Sequence, residues 1–418
     1  MSTMRTILLV ASAAVLLIGC GLLEPEPEPW RGVATIDSEA ASGEVTLRWF
    51  TSTSGGYWDG HPYPDGPPIA GVVVVRSWSG SDGSWVAVHK SNRSGTDSLT
   101  VSGLPDGRIV WFQVRAIGAS GRVLTQSEPV ITMPGAVLQP VFTRPLTVDG
   151  NFDWSPTDDA IAYIDASNLD SRHLIVLDLR TLTIERLSSI WGRRNYHGAA
   201  WSSDGKFIAT THTPTRSSGS IDYRVHAIGV ADRSIRPLSQ GRVDFDPTWG
   251  ASEWIYFCRG TYNAPNIPEI SRAPASGGSS SPVTSDPSHR KYHPSARSSD
   301  DLIVYEGVPV GQLSSYLYLV SPATGVCERI SGTGWADDRN PSWTVDGRSV
   351  VFISNRSGHD EVWKLDVEDG SYSQLTRGVA GTRRSCARMS HDGRRLAVFT
   401  GAGPYGGAGE LEIYDLEP

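Results

Sequence analysis

Asn340-Pro341-Ser342-Trp343-Thr344-Val345-Asp346-Gly347 is the stretch of sequence that decides the fold. Its Asp-Gly pair favours a tight hairpin turn, because glycine tolerates positive φ. The apolar run Ser349-Val-Val-Phe352 follows the turn, and a polar loop then leads to Glu361-Val-Trp-Lys-Leu-Asp366 and to a short segment that ends in Leu375-Thr376. Short apolar runs separated by turn residues predict one antiparallel sheet of four strands.

The same pattern recurs along the second part of the chain. Aligned anchor positions follow one another at intervals of 46 to 48 residues, and they are Trp154, Trp201, Trp249, Ala296, Trp343 and Met389. Two of these units are degenerate at the turn, where Ser252-Glu253 and Ser299-Asp300 replace Asp-Gly. Self-similarity at a fixed period is the signature of a repeat architecture, and four strands repeated six times predict an all-β, six-bladed β-propeller.

These units resemble the WD-like repeats of TolB, whose pattern runs Pro-x-Trp-Ser-Pro-Asp-Gly, an apolar strand, Ser-x-Arg-x-Gly and Leu-Thr. The resemblance is carried by Pro341-Ser342-Trp343, Asp346-Gly347, Ser354-Asn-Arg-Ser-Gly358 and Leu375-Thr376. It implies a TolB-like propeller over residues 141–418 and protein partners in the cell envelope. TolB has a different N-terminal domain, so the resemblance does not extend to its specific partners, and fold alone does not fix function.

The two ends of the repeat region complement each other. The sixth unit runs to its third strand, Gly409-Glu-Leu-Glu-Ile-Tyr-Asp-Leu416, without a following Leu-Thr segment. That segment occurs instead as Leu146-Thr147, ahead of the first unit. We therefore expect residues 142–147 to pair with the last unit and to close the ring without an open sheet edge.

Residues 30–135 predict a separate β-sandwich, since short alternating strands are divided there by Gly, Ser, Asp and Pro. This segment resembles a fibronectin type III module. Trp49 matches the buried tryptophan of the second strand, and the late strand of the family matches Phe112, Val114 and Ala116. The corner position that is usually tyrosine is Val110, so the resemblance does not provide the corner hydrogen bond.

A long connection within the sandwich, residues 51–68, carries Tyr57, Trp58 and Tyr63 among glycines and prolines. Loops of this length in a compact domain are commonly functional or disordered. Two interpretations stay open. The aromatic side chains form a platform for a sugar or a peptide, or they fold back over the sandwich edge or against the next domain.

The N-terminus predicts export. Arg5 precedes an apolar run over residues 7–18, which is too short to span a bilayer and is typical of a signal peptide. Leu17-Ile18-Gly19-Cys20 resembles the bacterial lipobox, which implies a signal peptide over residues 1–19 and an acylated Cys20. The Pro- and Glu-rich residues 20–29 then form an extended tether. With Gly21 after the cysteine, we expect the outer membrane in a Gram-negative host.

Composition excludes some partners. The net charge of −8 and a pI near 5.7 argue against nucleic acid, whose phosphates would be repelled on average. The cysteines beyond Cys20 are odd in number and widely spaced, and they are Cys258, Cys327 and Cys386. This spacing argues against a disulfide framework. We expect buried free thiols, with the pairing of two of them left open, and a monomeric protein.

Catalytic motifs with a physical mechanism are missing from the sequence, including Gly-x-Ser-x-Gly, His-Glu-x-x-His and the phosphate-binding loop. We therefore predict a non-enzymatic envelope lipoprotein without a cofactor or metal, whose propeller binds a protein or glycan. The alternative is a metal-dependent polysaccharide-degrading lyase that holds its ion with channel histidines, namely His197, His293 and His212. Metal analysis of the purified protein separates the two.

The predicted binding surface is the channel mouth, where residues three or four positions before each anchor converge as the innermost strands begin. The candidates are His197, Asp246, Tyr292, His293, Arg339 and Asn340. A concave site with a few convergent polar groups is typical of ligand binding. We expect these side chains to be solvent-exposed, so that replacing His293 or Arg339 changes stability by only about 0.5 kcal/mol.

Overall fold

The computed structural model describes residues 33–52, 57–58, 61–62, 68–78, 84–92, 94–106, 108, 110–127, 129–134, 139–149, 151–157, 159–168, 171–187, 196–212, 223–241, 243–251, 254–260, 267–332, 336–378, 383–401 and 406–416. Every regular element in these ranges is a β-strand, so this part of the protein is all-β as predicted. No helix there is long and apolar enough to cross a membrane.

The first ten strands belong to the N-terminal part. They are β1 (Val33–Ala41), β2 (Glu44–Ser52), β3 (Tyr57–Trp58), β4 (His61–Pro62), β5 (Ile69–Ser77), β6 (Val86–Ser91), β7 (Gly95–Ser102), β8 (Val110–Gly118), β9 (Val123–Gln126) and β10 (Val130–Thr132). One sheet has the order β1-β2-β7 and a second has β10-β8-β5-β6, with β9 also paired to β8, while β3 and β4 form a separate hairpin. All of these pairings are antiparallel.

The two larger sheets share one hydrophobic core. Alternate residues of β2, β5 and β8 point into it, as the period of two along a strand requires. Trp49, expected to be the buried tryptophan, is 3% exposed and packs with Val72, Leu104 and Phe112. Val110, at the corner position, is also buried in this core.

The remaining strands follow the repeat. They are β11 (Phe142–Asp149), β12 (Asp153–Trp154), β13 (Ala160–Asn168), β14 (Ser171–Asp178), β15 (Ile184–Arg186), β16 (Tyr196–Trp201), β17 (Phe207–His212), β18 (Arg224–Gly229), β19 (Ile235–Pro237), β20 (Asp244–Trp249), β21 (Trp254–Arg259), β22 (Glu269–Pro274), β23 (Ser281–Pro282), β24 (His289–Ala296), β25 (Ile303–Pro309), β26 (Tyr316–Val320), β27 (Cys327–Arg329), β28 (Asp338–Trp343), β29 (Ser349–Ser354), β30 (Glu361–Asp366), β31 (Tyr372–Gln374), β32 (Arg384–Met389), β33 (Arg395–Gly401) and β34 (Gly406–Asp415).

These strands build a β-propeller. Four sheets have four antiparallel strands each, in the orders β16 to β19, β20 to β23, β24 to β27 and β28 to β31, and a larger sheet joins β15-β14-β13 through β11 to β34-β33-β32, with β12 on β13. The first strands of successive units, β12, β16, β20, β24, β28 and β32, contact one another in cyclic order. Sheets arranged radially around an axis in this way bury their faces against each other.

The N-terminal strand closes the ring. β11 pairs with β34 along its whole length, from Phe142 opposite Ile413 to Asp149 opposite Gly406. This confirms the pairing that we expect from Leu146-Thr147. Phe152, Trp154 and Phe399 pack in one core on either side of the closure, so side chains from both ends of the propeller chain share it.

The sandwich contacts the propeller at the sheet of β28 to β31. The Ile131 N–H donates to the Arg356 carbonyl at 2.6 Å, and the Ser38 hydroxyl donates to the Ser357 carbonyl at 2.6 Å. Ile131 packs in the same core as Trp343 and Trp363. The two parts of the protein therefore share both hydrogen bonds and apolar packing.

Candidate functional site

A polar cavity of about 60 Å³ lies where the innermost strands converge. The residue immediately before each of the six anchors lines it, and these residues are Asp153, Ala200, Thr248, Ser295, Ser342 and Arg388. Asn151, Gly198 and Asp246, which lie three positions before their anchors, complete one side. The repeat therefore brings one position from every unit to a single place.

A recurrent β-bulge orients these side chains toward the cavity. The register between the first and second strands shifts at the same point in successive units, for example between Phe245 and Thr248 and between Arg339 and Ser342. Left-handed backbone conformation occurs at the bulge in four units, at Gly198 (φ 67°), Asp246 (51°), His293 (47°) and Asn340 (51°). Asp, Asn and His adopt this conformation more readily than other side chains, and bulges redirect neighbouring side chains.

Hydrogen bonds between units hold the ring of innermost strands. The side chain before one anchor accepts from the backbone N–H of the next anchor: Trp201 donates to Asp153 Oδ2 at 2.8 Å, Ala296 to Thr248 Oγ1 at 3.3 Å, and Trp343 to Ser295 Oγ at 3.3 Å. The cavity-lining residues therefore also determine how the units join.

His293 is the centre of a buried ionic group. Its Nδ1 lies 3.0 Å from Glu306 Oε2, and its Nε2 lies 3.7 Å from Asp246 Oδ2. Glu306 also accepts the Asn340 N–H at 3.0 Å. His293 and Asn340 are only 8% and 3% exposed, so the expectation that they are solvent-exposed surface residues is wrong, because the bulge turns them into the wall between units.

Asn340 connects three consecutive units of the ring, its own and those that begin with β32 and β12. Its amide nitrogen donates to Asn151 Oδ1 at 2.6 Å and to the Ser385 carbonyl at 3.1 Å, and its Oδ1 accepts from Arg388 Nη1 at 3.0 Å. Arg388 is the cation of the cavity lining, facing the carboxylates Asp153 and Asp246. The site therefore combines carboxylates, hydroxyls and one guanidinium within a small volume.

Burial changes two pKa values here. Burial raises the pKa of Asp153 to about 6, against the lowering effects of the Trp201 N–H, the Arg388 guanidinium and the Trp154 N–H. For His293, burial acts to lower the pKa, but the carboxylates of Asp246 and Glu306 outweigh it and the net shift is upward. The pKa of Asp153 therefore lies well above the usual range of a carboxyl group, and His293 favours its charged form.

The other predicted site residues lie in different surroundings. The Arg339 guanidinium pairs with Asp337 and Asp360 and does not line the cavity. The Tyr292 ring lies 6.4 Å from the ring of Phe245, also outside the lining. His197 lies in β16 and His212 in β17, but their side chains are outside the described residues.

The aromatic loop is described only in part. Tyr57 and Trp58 pair with His61 and Pro62 in the β3–β4 hairpin, while their side chains, together with the whole of Tyr63, lie outside the described residues. Cys20 also lies outside them. Cys258, Cys327 and Cys386 are free thiols, of which Cys258 and Cys386 are buried.

Sequence reasoning missed Asp153, Arg388 and Glu306. A signal for the first two is present in the repeat, because both occupy the position directly before an anchor, and at Asp153 that position accepts the N–H of the next anchor, Trp201. Glu306 carries no such signal. It lies on the second strand of its unit and reaches the ring only because β24 and β25 pair in one particular register.

The chain is similar to known proteins only at the level of solved structures. No protein-family model and no curated protein matches the chain. Among solved structures, a putative TolB from Agrobacterium tumefaciens shares 16% identity over 57% of this chain and 96% of its own, with a TM-score of 0.44. TolB from Acinetobacter baumannii shares 14% identity over 83% and 81%, with a TM-score of 0.44.

An oligogalacturonate lyase in complex with manganese shares 13% identity over 92% of this chain and 98% of its own, with a TM-score of 0.46. At these identities the similarities concern the fold alone. The strand pairing of the chain establishes that fold independently.

Proposed function

We propose that this chain is a lipid-anchored, non-enzymatic protein of the cell envelope whose six-bladed propeller is a binding scaffold. The observation that carries the proposal is the polar cavity on which the position before the anchor converges from all six units. Asp153, Asp246 and Arg388 supply charge of both signs there, which suits a polar partner group.

The size of the cavity favours recognition at its mouth. Pockets that enclose a small molecule usually measure about 300–1,000 Å³, whereas this cavity measures about 60 Å³ and has room for a few water molecules. A partner protein or glycan would therefore lie across the opening and insert one polar group. Rigid inter-unit hydrogen bonds keep the lining in place without the partner.

The sandwich acts in this proposal as a fibronectin type III-like spacer. Its sheet orders, β1-β2-β7 and β10-β8-β5-β6, and its buried Trp49 support that assignment. Its contacts with Arg356 and Ser357 support a fixed attachment to the propeller. The tether of residues 20–29 and an acylated Cys20 would then hold the rigid pair away from a membrane, the outer membrane in a Gram-negative host.

The test is affinity capture of the tagged full chain from cross-linked envelopes of the source bacterium. Asp246→Asn and Arg388→Gln should each reduce recovery of the captured protein or glycan at least about tenfold, because every 1.4 kcal/mol of lost affinity is a factor of ten. Arg394→Gln is the matched control, since Arg394 is exposed in the same unit. Equal recovery by all folded variants would place the binding surface elsewhere.

A bound metal ion distinguishes the enzymatic alternative from the binding scaffold. Two results together would favour the lyase over the binding scaffold. The wild-type chain would hold a divalent ion that His293→Ala loses, and it would cleave an acidic polysaccharide. In the scaffold, His293 is bonded to Glu306 and needs no ion.

A further inference from the structure

A second group of metal-ligating side chains lies away from the channel, in the unit of β24 to β27. Among the described residues, Asp286, His289 and Cys327 each offer one ligand atom, and these atoms lie within 4.8 Å of one another. Asp286 and His289 flank the start of the innermost strand β24, and Cys327 begins the outermost strand β27. The group therefore combines residues from both edge strands of one four-stranded sheet, β24 and β27.

The histidine ring is held in place by its neighbours. It stacks on Tyr318, with ring centroids 4.3 Å apart and planes 11° apart. Its Nε2 shares a 2.9 Å hydrogen bond with the Tyr305 hydroxyl. Its Nδ1 lies 2.9 Å from the Ser288 hydroxyl and 3.5 Å from Asp286 Oδ2, so an ion bound to Nδ1 would replace the hydrogen bond to Ser288. A histidine that binds a metal through one nitrogen usually has the other nitrogen hydrogen-bonded, as Nε2 is here.

The loop before the strand orients the aspartate. The Ser288 N–H donates to Asp286 Oδ1 at 2.9 Å, and the Ser288 hydroxyl donates to Asp286 Oδ2 at 2.9 Å. The Asp286 side chain is 42% exposed while that of His289 is 3% exposed, so solvent reaches the group from the aspartate side. An ion could enter there and keep a water molecule as a further ligand.

The charges nearby are balanced. The ammonium of Lys291 is buried close to the group, where it donates to the carbonyls of Asp286 and His289. It is neutralised by Glu269 Oε2 at 3.0 Å. A thiolate and a carboxylate would therefore face a divalent ion without an unpaired cation beside them.

We propose that Asp286, His289 and Cys327 bind a divalent transition-metal ion of the zinc class as a structural link across this sheet. Nitrogen, sulfur and carboxylate oxygen are the ligands that Zn²⁺ takes in proteins. With Zn–N of about 2.0 Å and Zn–S of about 2.3 Å, tetrahedral ligands lie about 3.5 Å apart. The separation of His289 and Asp286 already has this value, and Cys327 needs a small side-chain movement.

The link lies in the unit with the weakest repeat pattern. Its anchor is Ala296 in place of tryptophan, and its turn has Ser299-Asp300 in place of Asp-Gly. An ion that connects β24 with β27 would strengthen this unit, since a metal that binds only the folded state stabilises it. Binding converts the Cys327 thiol to a metal-bound thiolate and releases one proton to solvent, while the neutral imidazole and the carboxylate release none.

The experiment loads the metal-free full chain with Co²⁺, whose thiolate complexes absorb strongly in the near ultraviolet. Wild-type protein should bind one ion with this absorption, and Zn²⁺ should displace it. Cys327→Ser should lose the absorption, whereas Cys258→Ala, which removes another cysteine, should keep it. Asp286→Asn, at a side chain that is 42% exposed, should weaken binding at least about tenfold, because it removes a carboxylate ligand.

Thermal unfolding gives a second readout. A chelator should lower the midpoint of the wild-type protein and of Cys258→Ala but leave Cys327→Ser unchanged. Absence of the absorption in wild type, or equal absorption in wild type and Cys327→Ser, would overturn the proposal. Loss of the ion in His293→Ala with retention in Cys327→Ser would also overturn it and assign the ion to the channel.

Discussion

Asp153 is the residue whose ionisation most directly links the cavity to stability. Burial raises its pKa to about 6, above the value of about 3.9 for an unfolded chain. The folded state therefore holds its proton more tightly than the unfolded state between these values. Its contribution makes the free energy of unfolding fall as the pH rises from about 4 to about 6, with no further change above that range.

Asp153→Asn should remove this dependence. Between pH 4 and pH 7, the difference in unfolding free energy between wild type and variant should change by about 2 kcal/mol, in the direction that favours the variant at higher pH. Urea unfolding at several pH values measures it, and other titrating groups cancel in the difference. Parallel pH profiles for the two proteins would contradict the prediction.

At the scale of single residues, the repeat spacing predicts which positions approach the channel but not which way their side chains point. His293 and Asp246 were found from their place before the anchors, yet the bulge buries His293 against Glu306. Asp153 lies only two residues after Asn151 and lines the same cavity. A β-bulge of one residue changes the face of the strand to which the following side chains point. Gly, Asp, His and Asn at the bulge are compatible with its left-handed backbone, but these residue types are also common in ordinary turns, so they do not identify a bulge in one sequence.

At the scale of the strand, the structure explains two parts of the repeat motif. The Ser or Thr that follows Leu, Val or Ile at the end of each of these units accepts a backbone N–H from the third strand of its unit, with distances of 2.8–3.0 Å at Ser239, Thr284, Ser331 and Thr376. The Ser or Thr after the anchor donates to the turn aspartate, as Thr344 does to Asp346 at 2.6 Å. These local bonds are why the strand pattern could be predicted well from sequence.

The closing strand gives a prediction at the same scale. Deletion of residues 141–148 leaves Asp149 as the one residue of β11 opposite β34, so the row of backbone donors and acceptors on that side of β34 loses its hydrogen bonds. The thermal midpoint of the whole propeller should fall by more than about 10 °C, far beyond the effect of a surface change. Leu313→Ala, at a side chain that is 98% exposed, is the control.

Calorimetry of the deletion variant and the control measures the two thermal midpoints. A single broadened transition at lower temperature is the expected result for the deletion. An unchanged midpoint would mean that β11 contributes nothing to closure.

For the whole molecule, the contact between sandwich and propeller depends on Arg356. Its guanidinium pairs with Asp338 at 2.7 Å and lies 4.0 Å from the centre of the Tyr372 ring. Its own carbonyl accepts from Ile131. The repeat motif predicts an arginine at this position. It does not predict that the sandwich packs against it, because the sandwich and the propeller share no sequence repeat.

The proposed lipid anchor gives a prediction for the whole molecule as well. Cys20→Ala should leave an unprocessed precursor or a protein that is released from membranes, because acylation of that cysteine is the proposed attachment. Metabolic labelling with a palmitate analogue, followed by membrane fractionation, measures the change. Cys258→Ala should label like wild type. Equal labelling of Cys20→Ala would contradict lipidation at this site.

The pairing of β11 with β34 also sets the order of events during synthesis. β11 leaves the ribosome early, while its partner, residues 406–415, follows only after every other propeller strand. Pairing across such a long sequence separation is slow, and the waiting strand edge is open to association with other chains. Closure of the ring is therefore a late step of folding, and a chaperone that shields β11 until β34 is available would raise the yield of folded protein.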